Sequence, residues 1–170
     1  MGVASSANPY QLSSLAGGTM AFRSVLVADD MLDASQAALD EAVNLAKLAR
    51  AKLTIVTVIS VVSPSFGVPV PIGDSFVALM ESATKRLEAL KQRLVTEGVV
   101  EVETALLEGN PVDRVVEFAE KHRPDLIVVG SRGLSTAGRF LLGSVSDGIL
   151  HHVHCSVLVV KSHPRPKAPP

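Results

Sequence analysis

The apolar positions of this chain follow two alternating rhythms. From Ser24 the run SVLVADD is short and β-branched and ends on two carboxylates, which predicts a first strand over Ser24–Asp30. The following stretch, ASQAALDEAVNLAKLAR, spaces Ala38, Ala42, Leu45 and Ala49 three or four residues apart, the stripe of a helix with one buried face. KLTIVTVIS returns to strand character. VVSPSFGVPVPIGD holds three prolines and two glycines and predicts a long loop, with Ser63–Gly73 as a candidate lid. Asp74 stands where a helix N-cap is expected, and Leu79, Ala83, Leu87, Leu90 and Leu94 mark that helix's inner face. Gly98 follows at the position a left-handed C-terminal residue favours.

The second half repeats the alternation. VEVETALLE reads as a third strand, near an edge because polar residues alternate at its start. Asn110 and Pro111 predict the N-cap and first residue of a third helix, with Val112, Val115, Val116 and Ala119 facing inward. DLIVVG predicts a fourth strand, VSDGILHHV a short fourth helix and SVLVVK a fifth strand. Helices between successive strands impose crossover connections, so the fold class is α/β: a doubly wound, Rossmann-like, five-stranded parallel sheet with helices on both faces. Ligands of such sheets bind beyond the carboxyl ends of the strands, where the strand order reverses. That rule points to Asp29 and Asp30 after strand one and to Gly130 onward after strand four.

Composition narrows the picture. The 170 residues suit one domain, and aromatics are only 4% with no Trp, so the core is aliphatic. A net charge of −1 gives no basic surplus for a nucleic-acid groove. The single cysteine, Cys155, excludes an internal disulfide and fits a reducing, cytoplasmic compartment. No apolar run approaches the ~20 residues of a membrane helix. Residues 1–21 read as a disordered leader, an overcalled start before Met20 or an expression remnant; residues 22–161 read as the domain; residues 162–170 read as a Pro-rich flexible tail.

The candidate chemistry lies in GSRGLSTAGRFLLGS, Gly130–Ser144. Its four glycines, among them Gly130, Gly133 and Gly143, allow close backbone approach, and a helix start at Ser144 offers free N–H groups to an anion. Ser144 and Asp147 spell an S-x-x-D capping box, Ser144 and Ser146 carry hydroxyls, and Arg132 and Arg139 carry charge. No Lys follows these glycines, which excludes a P-loop, and ADDMLDAS after strand one has no dinucleotide-binding glycine pattern. Physics alone also allows a plain flexible connection here.

Three features together resemble the universal stress protein family: Asp30 ending strand one, the spacing of Gly130, Gly133, Gly143 and Ser144, and the ending HCSVLVVK. The resemblance spans roughly Phe22–Lys161. It implies strand order 3-2-1-4-5, ATP as ligand together with Mg²⁺, and a homodimer through the final strand, Ser156–Lys161. It also implies site roles. Asp30 would meet the sugar or base, and Val58 would border adenine. Val129 and Gly130 would line the exit of strand four, with Arg132 and Gly133 beside the phosphates. Gly143, Ser144, Val145 and Ser146 would hold phosphate oxygens. The family commonly turns after strand one on Val-Asp-Gly-Ser, whereas this chain has Asp29, Asp30, Met31 and Leu32. A second carboxylate at Asp29 is expected to oppose phosphate unless an Arg or a metal ion offsets it.

The reading is therefore an ATP-binding, nucleotide-responsive stress-response dimer of the cytoplasm, with at most slow hydrolysis because no residue stands out as a base. The alternative is a nucleotide-independent interaction or chaperone-like dimer. Shared catalysis by Asp29 and Asp30, and a metal site in HHVHC, His151–Cys155, are the weaker readings of those residues. An adenylating or pyrophosphatase enzyme is disfavoured because ADDMLDAS lacks glycine.

Overall fold

The computed structural model describes residues 22–60, 74–131 and 143–161. Along these the order is β1 (Ser24–Ala28), α1 (Asp33–Ala49), β2 (Lys52–Ile59), α2 (Asp74–Thr96), β3 (Glu101–Glu108), α3 (Pro111–His122), β4 (Leu126–Ser131), α4 (Ser144–His152) and β5 (Ser156–Lys161). The strands form one parallel sheet in the order β3-β2-β1-β4-β5. Val27 at its centre stands between Ile55 and Val128, and Val128 in turn faces Leu158.

Strand alternation divides the core into two layers. Val25, Val27, Leu53, Ile55 and Val128 meet α1 and α2 on one face. Leu26, Val56, Ile127 and Val129 meet α3 and α4 on the other. The alanine stripe of α1 explains its seat over the sheet centre: Ala38, Ala42 and Ala46 are fully buried, and small side chains let the helix backbone approach closely. On the far face the same purpose falls to Gly148 in the middle of α4. A Cβ there would sit 2.8 and 2.9 Å from the two γ-carbons of Val112 on α3.

The helix ends follow local chemistry. Asn110 caps α3 as expected: its side-chain oxygen accepts from the amides of Val112 at 2.9 Å and Asp113 at 3.4 Å, with Pro111 opening the helix. Gly98 has φ +93, the left-handed conformation expected of it. Arg50 and Arg123 close α1 and α3 in the same conformation, with φ 51 and 47, although each carries a Cβ. At the opposite end of the sheet Asp125 ties β1 to β4 by accepting from the amides of Arg23 (2.7 Å) and Ser24 (3.0 Å).

Several expectations change. α2 begins at Asp74 itself, so Asp74 is its first helical residue and not its N-cap. Ala83, Leu87 and Leu94 are buried as expected, but Leu79 is 49% exposed. Twenty-three helical residues extend about 35 Å, whereas the eight residues of β3 cover about 26 Å, so the first turns of α2 outrun the sheet. There Phe76, Val77 and Met80 border an open groove beside Glu108. Strand three starts one residue later than expected, at Glu101, and ends at Glu108 as expected, whereas strand four is displaced by one residue, to Leu126–Ser131. The candidate lid, the leader and the tail, together with Arg132, Gly133 and Arg139, lie outside the described residues. No helix among the described residues is long and apolar enough to cross a membrane.

Candidate functional site

The carboxyl ends of β1 and β4 are neighbours, as the order reversal demands. β1 stops at Ala28, two residues earlier than its composition predicts. The amide of Asp29 still donates to the carbonyl of Val56 at 2.9 Å, but Met31 then takes φ +62 and turns the chain out of the sheet. A residue with positive φ cannot continue a strand, which is why the run of polar residues leaves the ladder here.

The two adjacent carboxylates have different tasks. Asp29 continues the face of Val25 and Val27 and is only 4% exposed. Its Oδ1 accepts from the Met31 amide at 3.0 Å and from the Ser35 hydroxyl. Leu32, the N-cap of α1, has no side-chain acceptor; the Ser35 hydroxyl reaches back to Asp29 Oδ1 and the Leu32 carbonyl, tying the turn to the start of the helix. Asp29 is thus buried and hydrogen-bonded to the turn and to the first turn of α1. Asp30 is half-buried one position on, and its Oδ1 accepts from the Leu32 amide at 3.0 Å. The carbonyl of Met31 accepts from Nη1 of Arg86, on α2, at 2.8 Å. Nothing in the local sequence signals that contact, since 55 residues separate the partners.

On the β4 side the glycine segment ends in α4. Its N-cap is Gly143, with φ −65 and ψ 148, ordinary extended backbone. Ser144 is therefore the first helical residue, and the expected capping box is absent. The Asp147 amide donates to the carbonyl of Gly143 at 2.9 Å in the ordinary helical pattern, and its carboxylate lies 3.6 Å from His151. A glycine N-cap offers no side-chain oxygen, and among the described residues no side chain caps the first turn of α4. Ser146 is buried at 2% exposure, and its hydroxyl donates to the Gly143 carbonyl at 2.9 Å, so it braces the turn and is not an outward donor. Ser144 is exposed.

Three apolar residues assigned to the site share one layer: Val58 from β2, Val129 from β4 and Val145 from α4 all belong to the cluster beneath α3 and α4. Gly130 lies within β4 beyond Val129. The fold thus gathers Val58, Val129, Gly130 and Gly143–Ser146 at one end of the sheet, with Asp30 just past the neighbouring strand. Arg132 and Gly133 fall outside the described residues. The HHVHC segment resolves into helix-end contacts, with Nδ1 of His152 2.7 Å from the Gly148 carbonyl. Among the described residues no three His, Cys, Asp or Glu side chains are grouped to hold a metal ion. Burial raises the Cys155 thiol above its ordinary pKa, as expected for a structural thiol.

Comparison with known proteins gives the same frame. The model of the "Universal stress protein family" matches residues 21–161. A universal stress protein of Methanocaldococcus jannaschii is 36% identical over 155 residues, covering 89% of this chain and 90% of that protein. Universal stress protein UspA from Lactobacillus plantarum superposes with a TM-score of 0.65 at 26% identity, covering 82% of this chain and 98% of that one. A universal stress protein solved in complex with cAMP has a TM-score of 0.59 at 31% identity, covering 84% of this chain and 98% of its own.

Proposed function

This chain belongs to the universal stress protein family, and we propose that it binds an adenine nucleotide, ATP with Mg²⁺ foremost, at the carboxyl ends of β1 and β4. The observation that carries the reading is the start of α4. Its N-cap is glycine, no described side chain caps its first turn, and it follows β4, an interior strand of the sheet. Such a start suits an anion, since unpaired N–H groups and the helix dipole both favour negative charge. The relative in complex with cAMP, at 31% identity, supports an adenine nucleotide as the ligand class.

In this reading the polyphosphate is held by the backbone of Gly143, Ser144, Val145 and Ser146, with Arg132 and Gly133 beside it. Adenine rests against Val58 and the β4 exit at Val129 and Gly130. Asp30 meets the sugar or base. Mg²⁺ arrives with the phosphates and offsets their charge. No described side chain is set to activate a water, so the nucleotide acts as a ligand, with hydrolysis slow at most. Binding to the ordered state stabilises it by mass action, which is how a nucleotide can govern a regulatory, stress-responsive protein of the cytoplasm.

The partner we propose is a second copy, joined through β5. That strand lies at the sheet edge with Val157, Leu158, Val159 and Val160 only half-buried, an apolar edge that pairing would protect. Isothermal titration with Mg-ATP, AMP and cAMP tests the nucleotide claim. Micromolar binding of at least one is expected; no heat up to millimolar concentrations rejects the claim and leaves the nucleotide-independent dimer. Light scattering of Val159→Glu tests the partner: a dimeric wild type and a monomeric variant are expected, and a monomeric wild type refutes it.

A further inference from the structure

We propose that Arg86 is a positioning residue of the nucleotide site, gripping from α2 the left-handed turn that presents Asp30. The inference rests on the adenine-nucleotide reading above and adds to it a residue from α2, an element to which that reading gives no ligand contact.

Met31 is the strained residue of this turn. Its φ of +62 belongs to a conformation that a residue with a Cβ disfavours, so this turn is held by its surroundings and not by its own preference. Two of the holding bonds lie inside the turn. The Met31 amide donates to Asp29, and the Leu32 amide donates to Asp30 Oδ1 at 3.0 Å. The third comes from α2, where Nη1 of Arg86 donates to the Met31 carbonyl at 2.8 Å.

The Met31 carbonyl and the Leu32 amide belong to the same rigid peptide plane. Arg86 fixes one edge of that plane, and the opposite edge donates to the Asp30 carboxylate. Rotation of the plane would carry the Leu32 N–H away from Asp30, so the guanidinium acts on the position of that carboxylate through the peptide plane. A cationic donor on the carbonyl also polarises the plane and strengthens the amide as a donor.

The test compares adenosine with inorganic tripolyphosphate by titration calorimetry on the full chain. Arg86→Ala is expected to weaken adenosine about fivefold, the scale of one charged hydrogen bond that is partly solvated, and to leave tripolyphosphate unchanged. Arg86→Lys should recover part of the loss. Arg86→Ala combined with Met31→Gly should recover more, because glycine adopts φ +62 without restraint. In ligand-free protein, hydrogen exchange of the Leu32 amide should quicken in Arg86→Ala. Unchanged adenosine affinity, or equal losses for both ligands, overturns the proposal. Should wild type bind neither ligand, the nucleotide reading falls, and an unchanged Leu32 exchange rate would then overturn the hold of Arg86 on the turn as well.

Discussion

Gly148 is the position where helix propensity and packing make opposite predictions. It sits mid-way along α4, where alanine would ordinarily stabilise a helix by about 1 kcal/mol. Here the added Cβ would stand 2.8 and 2.9 Å from the γ-carbons of Val112, closer than carbon atoms pack. Val112 lies in the first turn of α3, beside the Asn110 cap, so it cannot yield without moving that helix start. Overpacking of this kind costs ~1–3 kcal/mol, and the net expectation for Gly148→Ala is a loss of about 1 kcal/mol. That corresponds to a fall in Tm of about 4 °C for a domain of this size. Val112→Ala removes both γ-carbons and should itself cost about 1 kcal/mol, since the side chain is half-buried. In that background the clash is gone, and Gly148→Ala should stabilise. Urea denaturation of the four proteins gives the coupling, expected at 1 kcal/mol or more. A Gly148→Ala variant more stable than wild type, or additive effects within ~0.3 kcal/mol, would refute the close approach of α3 and α4.

Other predictions follow from single contacts. Arg50→Gly and Arg123→Gly should each stabilise by about 1 kcal/mol, since both exposed residues hold left-handed C-terminal positions that glycine takes without strain; destabilisation in urea would count against the cap geometry. Thr57 is 1% exposed and its hydroxyl has no partner among the described residues, so Thr57→Val should be neutral or stabilising, and a loss above ~1 kcal/mol would show that the hydroxyl holds an ordered water. Cys155 should alkylate more slowly than a short peptide thiol at pH 8, with its pH–rate midpoint displaced upward by burial; equal rates would exclude that environment. Lys52 bonds Glu103 at 2.6 Å and Glu101 at 3.3 Å, and those carboxylates raise its pKa. Their contribution is complete below the ordinary lysine value and fades as pH rises through the folded one. Stability should therefore fall at strongly alkaline pH less steeply in Lys52→Met than in wild type; parallel curves would remove the pair from the account.

The site was legible where the chemistry is local. Asn110 and Pro111 announce a helix start because the capping oxygen and the donors it meets are within three residues. Gly143 as the end of the glycine segment was legible for the same reason, but its role as N-cap was not, since Ser144 and Asp147 spell a capping box that the backbone shifts by one residue. Asp29 looked like a second ligand-facing carboxylate. Its commitment to Ser35 depends on strand β1 ending early, which Met31 decides by its backbone and not by its side-chain type.

Period and punctuation in the amino-acid order were enough to determine a parallel sheet with five strands, four crossover helices and an aliphatic core, because hydrophobic periodicity and helix caps act over a few residues. Tertiary packing alone decided which carboxylate is buried, that Gly148 must stay small against Val112, and that Arg86 reaches Met31 across 55 residues. These depend on which faces of distant elements meet, and an element's own sequence carries no record of the neighbour it will be pressed against.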